Sequence, residues 1–182
     1  MSRVEIHGYA IVSDDDRIAD STGQTPDVLR NDADWAYFQA ELNRSDVTVL
    51  GRLGHEANPN PRNRVRMILS SSSQGIERRV DGWWWNPERL SWDEAIRRVL
   101  PYGGRVAVPG GRQVFDLFLK LGYDAFHLTR AEGVAVPGGV PVFSECETGK
   151  GAEAILSEAG LTPGQRKTLD PVGPISLVVW RR

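Results

Sequence analysis

The sequence is poor in the residues that form disulfides and metal sites, with one cysteine, three histidines and two methionines among 182 residues. Because Cys146 stands alone, an internal disulfide is excluded. His7, His55 and His127 are widely spaced, and no group of cysteines and histidines has the spacing of zinc ligands. We therefore expect no metal site, and any catalytic power has to be borrowed from a cofactor.

The chain also lacks an excess of charge and any long hydrophobic run. Its 22 basic and 24 acidic residues give a net charge of −2, which provides no electrostatic attraction for nucleic acid or for an acidic membrane. No apolar run is long enough for a signal peptide or a membrane-spanning helix. We expect a cytoplasmic protein with neither nucleic acid nor membrane as a partner.

Length and residue pattern indicate one α/β domain over residues 1–182. Apolar runs that predict strands alternate with patterns that predict amphipathic helices. The alternation predicts a mostly parallel central sheet with helices on both faces and an antiparallel C-terminal strand at one edge. The predicted strands are 4–13, 47–50, 65–69, 80–85, 105–108, 125–129 and 175–181, and the predicted helices are 31–43, 91–100, 111–121 and 152–159.

One stretch, residues 105–115, combines a strand, a Gly-Gly turn and the start of a helix. Gly110 and Gly111 have no side chains, so the backbone can pass close to a ligand and the helix N-terminus can face it. This pattern indicates a site for a phosphate-bearing cofactor. A tight strand-to-helix connection without a ligand would explain the turn equally well. The helix has a packing face made of Val114, Leu117, Phe118 and Leu121.

Several short patterns follow one another along the chain, and together they resemble the dihydrofolate reductase family. They are Asp34-x-x-x-Phe38, Val49-Leu50-Gly51-Arg52, Arg64-Val-x-Met-Ile-Leu-Ser-Ser71, Gly110-Gly111-x-x-Val114-Phe115 and His127-Leu-Thr129. The family shows the same elements in the same order at near-identical spacing, over roughly residues 4–143. The resemblance implies an oxidoreductase of one-carbon metabolism that uses NADPH to reduce a dihydropterin to a tetrahydropterin.

The resemblance implies a catalytic pair and a substrate site. Asp34 matches the family's buried acid, which fixes the pterin and favours its protonation, and Thr129 matches the threonine that orients this acid. Phe38 would stack along the substrate, and Arg64 matches the arginine that binds a carboxylate on the substrate tail. From the residues alone, Asp34 could equally stabilise a helix N-terminus. Phe38 could be core, Thr129 a strand residue and Arg64 a solvated loop residue.

The resemblance also implies a set of residues that bind NADPH. Gly51, Arg52, Ser70 and Ser71 match positions that hold the adenosine 2′-phosphate. The pyrophosphate and ribose would contact the turn and helix start, which are Gly110, Gly111, Arg112, Gln113, Val114 and Phe115. Two hydroxyls and a guanidinium at a strand end favour NADPH over NADH.

Departures from the family pattern concern the substrate side. Asp27 stands after Pro26 where the family carries a tryptophan in a loop over the nicotinamide, so we expect Asp27 to contact the substrate. Leu53 replaces a phosphate-binding threonine, and Phe115 replaces a tyrosine. Because of these changes, the pattern does not establish dihydrofolate itself as the substrate. A remodelled loop would suit the related dihydromethanopterin reductases, whose pterin has a bulkier and differently charged tail.

Two further alternatives stay open. Residues 13–19 and 138–143 resemble motifs of the riboflavin-pathway pyrimidine reductases, which share the fold and act on a ribosylaminopyrimidine phosphate. A protein that binds NADPH or a pterin without turnover is the other alternative. The sequence leaves open whether the chain is a monomer or a homodimer.

Overall fold

The computed structural model describes residues 3–182, which form five α-helices and twelve β-strands. Two short 3₁₀ helices, Asp27–Leu29 and Ser144–Thr148, lie in the connections. Among the described residues, no helix has the length and apolar character needed to cross a bilayer. The α-helices are α1 (Asp32–Asn43), α2 (Arg52–Ala57), α3 (Trp92–Val99), α4 (Arg112–Leu121) and α5 (Ala152–Glu158).

Ten of the strands form one large sheet, and the remaining two form a separate pair. The sheet order is β10-β12-β8-β1-β7-β3-β4-β6-β5, with β11 also paired to β12. The strands are β1 (Val4–Val12), β2 (Arg17–Ala19), β3 (Val47–Gly51), β4 (Arg66–Leu69), β5 (Ile76–Arg79), β6 (Gly82–Trp85), β7 (Gly104–Val108), β8 (Ala125–Ala131), β9 (Val140–Pro141), β10 (Thr162–Pro163), β11 (Lys167–Asp170) and β12 (Ile175–Arg181).

The centre of the sheet is parallel, as the alternation of strands and helices predicts. Strands β8, β1, β7, β3, β4 and β6 all pair in parallel. The C-terminal strand β12 runs antiparallel to β8, and the short strands β10 and β11 pair with β12. The predicted α/β class with an antiparallel C-terminal strand is confirmed.

Helices cover both faces of the sheet because successive strand residues point in opposite directions. On one face, Tyr9 of β1 packs with Phe38 and Leu42 of α1. On the other face, Ile6 and Val12 of β1 belong to the main core, which also contains apolar residues of α3, α4 and α5.

Residue patterns account for the ends of the main helices. The Asn31 side chain accepts hydrogen bonds from the backbone N–H groups of Ala33 and Asp34, so it caps α1 as expected. Ser91 and Glu94 form the expected capping box at the start of α3, where the Ser91 hydroxyl accepts from the Glu94 N–H.

Two segments are more structured than the sequence predicts. The expected strand 80–85 corresponds to β6, which is the second strand of a hairpin. Strand β5 pairs antiparallel with β6, and Val80 lies at the exposed turn between them. His55, expected in a loop, belongs to the short helix α2. Its Nε2 bonds to Asp81 at 2.8 Å and its Nδ1 lies 3.0 Å from Arg66. These partners are distant in sequence, so local residue patterns do not indicate them.

Gly8 of β1 provides a test of how tightly β1 packs against the main core. A Cβ atom at this position would lie 2.4 Å from the Phe126 ring and 2.9 Å from the Tyr123 ring, both of which are fully buried. Gly8→Ala is therefore expected to lower the free energy of unfolding by about 1–3 kcal/mol in urea denaturation. Gly54→Ala is the control, because a Cβ there meets nothing within 4 Å and Gly54 is helical. A change of equal size in both variants would contradict this account of the packing.

Candidate functional site

The parallel sheet gathers most of the sequence-predicted site residues at one edge. The paired positions Ile11 and Thr129 lie near the carboxyl ends of β1 and β8, and Gly51 ends β3 beside Leu69 of β4. Strand β7 is parallel to β1 and β3, so its carboxyl end, which leads into Gly110, lies at the same edge. In open α/β sheets, ligands bind in the crevice beyond the carboxyl ends of the strands.

Asp34 lies in the first turn of α1 and faces the sheet. The Thr129 hydroxyl on β8 lies near enough to its carboxylate to stabilise the charged form. Burial raises the pKa of Asp34 above its ordinary value, while the hydrogen bond from Thr129 opposes that shift. The structure therefore brings together the two residues that the sequence pairs as a catalytic acid and its orienting threonine. Such a carboxylate can accept N–H donors from a heterocycle and can hold a proton.

Phe38 lies one turn after Asp34 and is half-buried. Its ring packs against Tyr9 at 5.9 Å between centroids and against Trp35 at 6.0 Å. Trp35 directly follows Asp34 in sequence, and 59% of its surface is exposed. An exposed tryptophan beside a half-buried acid offers a stacking surface for a planar ligand. The sequence patterns alone do not mark Trp35 as a site residue, although it stands directly next to Asp34.

The Gly-Gly turn is open on the side where a ligand would bind. Gly110 has a φ of +117°, which favours glycine, and a Cβ there would lie 3.1 Å from the Phe115 ring. The Gly110–Gly111 peptide bond is cis. A Cβ at Gly111 would meet nothing within 4 Å, and no side chain caps the N-terminus of α4. The first N–H groups of α4 are therefore available to a phosphate, and these residues fit a nucleotide cofactor.

The side chains in the first turn of α4 differ in their exposure. Arg112 is half-buried and Gln113 is exposed, so their side chains can reach a ligand. Val114 and Phe115 are buried. The Phe115 ring packs against Phe126 at 5.5 Å between centroids. Val114 and Phe115 therefore shape the floor beneath the turn, and only their backbone atoms can face a cofactor.

The expected 2′-phosphate site lies beside the Gly-Gly turn. Val114 Cγ2 is 3.7 Å from where a Cβ of Gly51 would stand, so α4 and the end of β3 are neighbours. Arg52 begins α2 and forms an exposed ion pair with Glu56 at 2.9 Å, which is weak enough to exchange for a phosphate. The Ser70 hydroxyl lies 2.8 Å from that of Ser72, and Ser71 between them is exposed.

Arg64 lies in a hydrogen-bonded loop near the C-terminal end of α1. Its Nη2 donates to Asn43 Oδ1 at 2.7 Å, and Arg62 Nη1 donates to the same oxygen at 3.2 Å. Asn60 fixes the loop by accepting from the Arg64 N–H and donating to its carbonyl. Burial and then the nearby Arg62 charge lower the pKa of Arg64. Two guanidinium groups that share one neutral amide partner can together bind an anion.

The sequence patterns do not identify Arg62 and Asn43 as partners of Arg64. Arg62 stands only two residues before Arg64, which was a signal that a second cation lies in the same loop. Asn43 is the last residue of α1, and nothing local marks it as a partner of the loop. Only the tertiary structure brings that amide to both arginines.

Asp27 occupies an exposed position in front of α1. It opens the 3₁₀ helix Asp27–Leu29, and its fully exposed carboxylate lies 3.5 Å from the Arg30 guanidinium.

Strand β2 pairs antiparallel with β9, so the two segments that resemble pyrimidine reductase motifs lie side by side. Within residues 3–182, no group of three or more histidine, cysteine, aspartate or glutamate side chains could hold a metal ion.

Thr129→Val tests the pairing of Asp34 with Thr129. Valine keeps the shape of threonine but cannot donate a hydrogen bond to the ionised carboxylate. The variant should raise the pKa of Asp34 by about one unit, measured by ¹³C NMR titration of the carboxyl group. The control is Thr48→Val, another buried threonine, which lies on β3, three strands away from the β8 strand of Thr129. An Asp34 pKa that is unchanged in Thr129→Val would rule out the hydrogen bond.

Comparison with known proteins identifies the fold. No family model and no curated protein matches the sequence. A solved dihydrofolate reductase from Enterococcus faecalis, complexed with NADP(H) and RAB-propyl, is 15% identical with a TM-score of 0.68, over 100% of this chain and 98% of that chain. A protein assigned to riboflavin biosynthesis from Shewanella sp. PV-4 is 19% identical with a TM-score of 0.68, over 98% and 99% of the two chains.

A third similar structure comes from Thermotoga maritima and is a diaminohydroxyphosphoribosylaminopyrimidine deaminase/5-amino-6-(5-phosphoribosylamino)uracil reductase. It is 18% identical with a TM-score of 0.65, and the match covers 98% of this chain. The chain spans 56% of the length of that protein. At these identities the comparisons establish the fold, and the chain has the dihydrofolate reductase-like fold.

Proposed function

We propose that the protein is an NADPH-dependent oxidoreductase that transfers a hydride to a dihydropterin, either dihydromethanopterin or dihydrofolate, and yields the tetrahydropterin. One observation carries the proposal: half-buried Asp34 lies against buried Thr129 at the carboxyl-end edge of a dihydrofolate reductase-like sheet. A carboxylate that remains partly desolvated is costly to the fold, and such groups concentrate at functional sites.

Asp34 has two tasks in this proposal. Its carboxylate accepts hydrogen bonds from the N–H groups on the amidine edge of the pterin, and the Thr129 hydroxyl fixes the orientation of the carboxylate. Its raised pKa brings the carboxyl group closer to the range in which it can favour protonation of the pterin N5, by way of a water molecule. Phe38 stacks along the substrate from the same side of α1.

The cofactor side of the site fits NADPH. Gly110 and Gly111 let the backbone approach the pyrophosphate, and the uncapped N-terminus of α4 provides N–H donors together with the side chains of Arg112 and Gln113. NADPH, when bound, supplies the hydride. Gly51, Arg52, Ser70 and Ser71 lie where they can hold the 2′-phosphate, since β3 and β4 end side by side.

The Arg62–Arg64 pair favours a pterin with a long anionic tail. Asp34 and Asn43 stand nine residues apart on α1, which places them about 13 Å apart along the helix axis. A heterocycle at Asp34 needs a linker of this length to bring a carboxylate or phosphate to the arginines. Asp27, at the entrance, contacts the substrate in this arrangement.

A pyrimidine reductase is the second candidate, and one observation favours it. The segments 13–19 and 138–143, which resemble motifs of that family, meet through the pairing of β2 with β9. A ribosylaminopyrimidine phosphate is a shorter molecule, so its phosphate would not reach Arg64 from a ring at Asp34. Activity on this substrate, without an effect of antifolates, would favour the second candidate.

Asp34→Asn tests the catalytic role of the acid. The variant should reduce kcat for dihydropterin reduction by about 100-fold or more near neutral pH, because an amide cannot take up and release a proton as a carboxyl group does. NADPH binding should stay nearly unchanged. Asp32→Asn is the matched control, since Asp32 lies in the same first turn of α1 but is exposed. Full activity of Asp34→Asn would remove Asp34 from the mechanism.

Arg52→Ala tests the proposed selectivity for NADPH. Loss of the guanidinium should weaken the binding of NADPH by roughly 1.5–3 kcal/mol and leave the binding of NADH nearly unchanged, because only NADPH carries the 2′-phosphate. The two dissociation constants can be measured by fluorescence titration. Arg98→Ala, which removes an exposed arginine from α3, controls for the change in net charge. Equal losses for both cofactors would mean that the 2′-phosphate is bound elsewhere.

A further inference from the structure

The side of α1 that faces the sheet is held largely by polar contacts. Besides the Asp34–Thr129 hydrogen bond, the Tyr9 hydroxyl donates to Glu41 at 3.1 Å, and Arg105 donates to the same carboxylate at 3.2 Å. Apolar contacts let a helix slide or rotate at low cost, whereas hydrogen bonds are directional. These contacts therefore fix the register of α1 over the sheet.

A chain of buried side chains makes a further contact with α1. The Tyr37 hydroxyl lies 2.5 Å from Nδ1 of His127, and His127 Nε2 lies 3.1 Å from Nδ1 of His7. Nε2 of His7 lies 3.6 Å from the carboxylate of Glu5, which is half-exposed. Both histidines are buried, at 3% and 4% exposure. The chain therefore runs from the surface at Glu5 to helix α1.

The positions of the protons in this chain follow from its ends. The Glu5 carboxylate, 3.6 Å from His7 Nε2, is too far for a hydrogen bond, but its charge favours a proton on Nε2, which leaves Nδ1 as an acceptor. His127 then donates from Nε2 and accepts at Nδ1. The remaining donor is the Tyr37 hydroxyl, which gives its proton to His127. Each contact has one proton and one acceptor, so two neutral histidines satisfy the whole chain.

The surroundings keep both histidines neutral. Burial lowers the pKa of His127 to about 3, with smaller contributions from His7 and from two arginines. Burial also lowers the pKa of His7, followed by the charge of Arg105. The titratable and charged groups near this side of α1 are Glu5, His7, Tyr9, Arg44, Arg105, His127 and Arg181, together with Tyr37 and Glu41 of α1 itself.

We propose that Tyr37 and His127 are positioning residues for Asp34, and that they set the height and rotation at which α1 presents Asp34 to Thr129. Tyr37 follows Asp34 by three residues, less than one turn, and His127 precedes Thr129 by two residues on the same face of β8. The two hydrogen bonds therefore join the same two elements side by side. The orientation of Asp34 depends on the tyrosine hydroxyl, which does not touch the substrate.

The test is a double-mutant cycle with the pKa of Asp34 as the readout, measured by ¹³C NMR titration of the free protein. Tyr37→Phe keeps the ring and removes only the hydroxyl. If α1 shifts, Asp34 loses its bond from Thr129, so its pKa should rise by about half a unit to one unit. Tyr37→Phe should add nothing in the Thr129→Val background, because the bond through which it acts is already gone.

Two comparisons keep the test independent of general destabilisation. Tyr123→Phe also removes a buried tyrosine hydroxyl, which donates to the Phe115 carbonyl in the core on the other face, and it should leave the pKa of Asp34 unchanged. His127→Gln retains one acceptor and one donor and should stay near the wild-type value. His127→Leu, which has neither, should behave like Tyr37→Phe. An unchanged Asp34 pKa in Tyr37→Phe, or an equal rise in the Thr129→Val background, would overturn the proposal.

Activity supplies a second readout, which rests on the proposed function. In Tyr37→Phe, kcat for dihydropterin reduction should fall by about 10-fold while KM for NADPH stays unchanged, as expected for the loss of one hydrogen bond. Absence of pterin turnover in the wild-type protein would count against the proposed function alone. The NMR titration would still decide the positioning role, so the two failures can be told apart.

Discussion

The contact between helix α1 and the sheet is the constraint on which the candidate site depends. This contact combines a small apolar part, Phe38 and Leu42 against Tyr9, with a row of hydrogen bonds. Burying polar groups costs free energy unless each finds a partner. The partners found here also hold Asp34 in a place where its carboxylate is desolvated and supported by a single hydroxyl. Stability and reactivity are therefore set by the same interface.

The parallel sheet supplies the second half of the site without special residues. Strands β1, β3, β4, β7 and β8 end at one edge, which brings a glycine turn, two helix starts and a serine run to the edge where Thr129 lies. Backbone N–H groups do much of the proposed cofactor binding, so side chains in that half can vary widely.

The sequence predicts the parts of the molecule that local patterns encode. The cap at Asn31, the capping box at Ser91 and the strand-turn-helix at Gly110 are local, and the structure places each as expected. Asp34 and Thr129 could be paired only through the family resemblance, because ninety-five residues separate them. The resemblance does not indicate the contact between Tyr37 and His127, nor the binding of two arginines to Asn43. Their partners meet only after the sheet has formed.

The most direct test of the account follows NADPH oxidation with dihydromethanopterin, dihydrofolate and a ribosylaminopyrimidine phosphate in parallel reactions. The account predicts turnover of at least one dihydropterin, and the ratio of kcat/KM values would show which tail the Arg62–Arg64 site prefers. Turnover of the pyrimidine alone would contradict the assignment of Asp34 to a pterin. Binding of NADPH without turnover of any of the three would contradict the proposed reaction altogether.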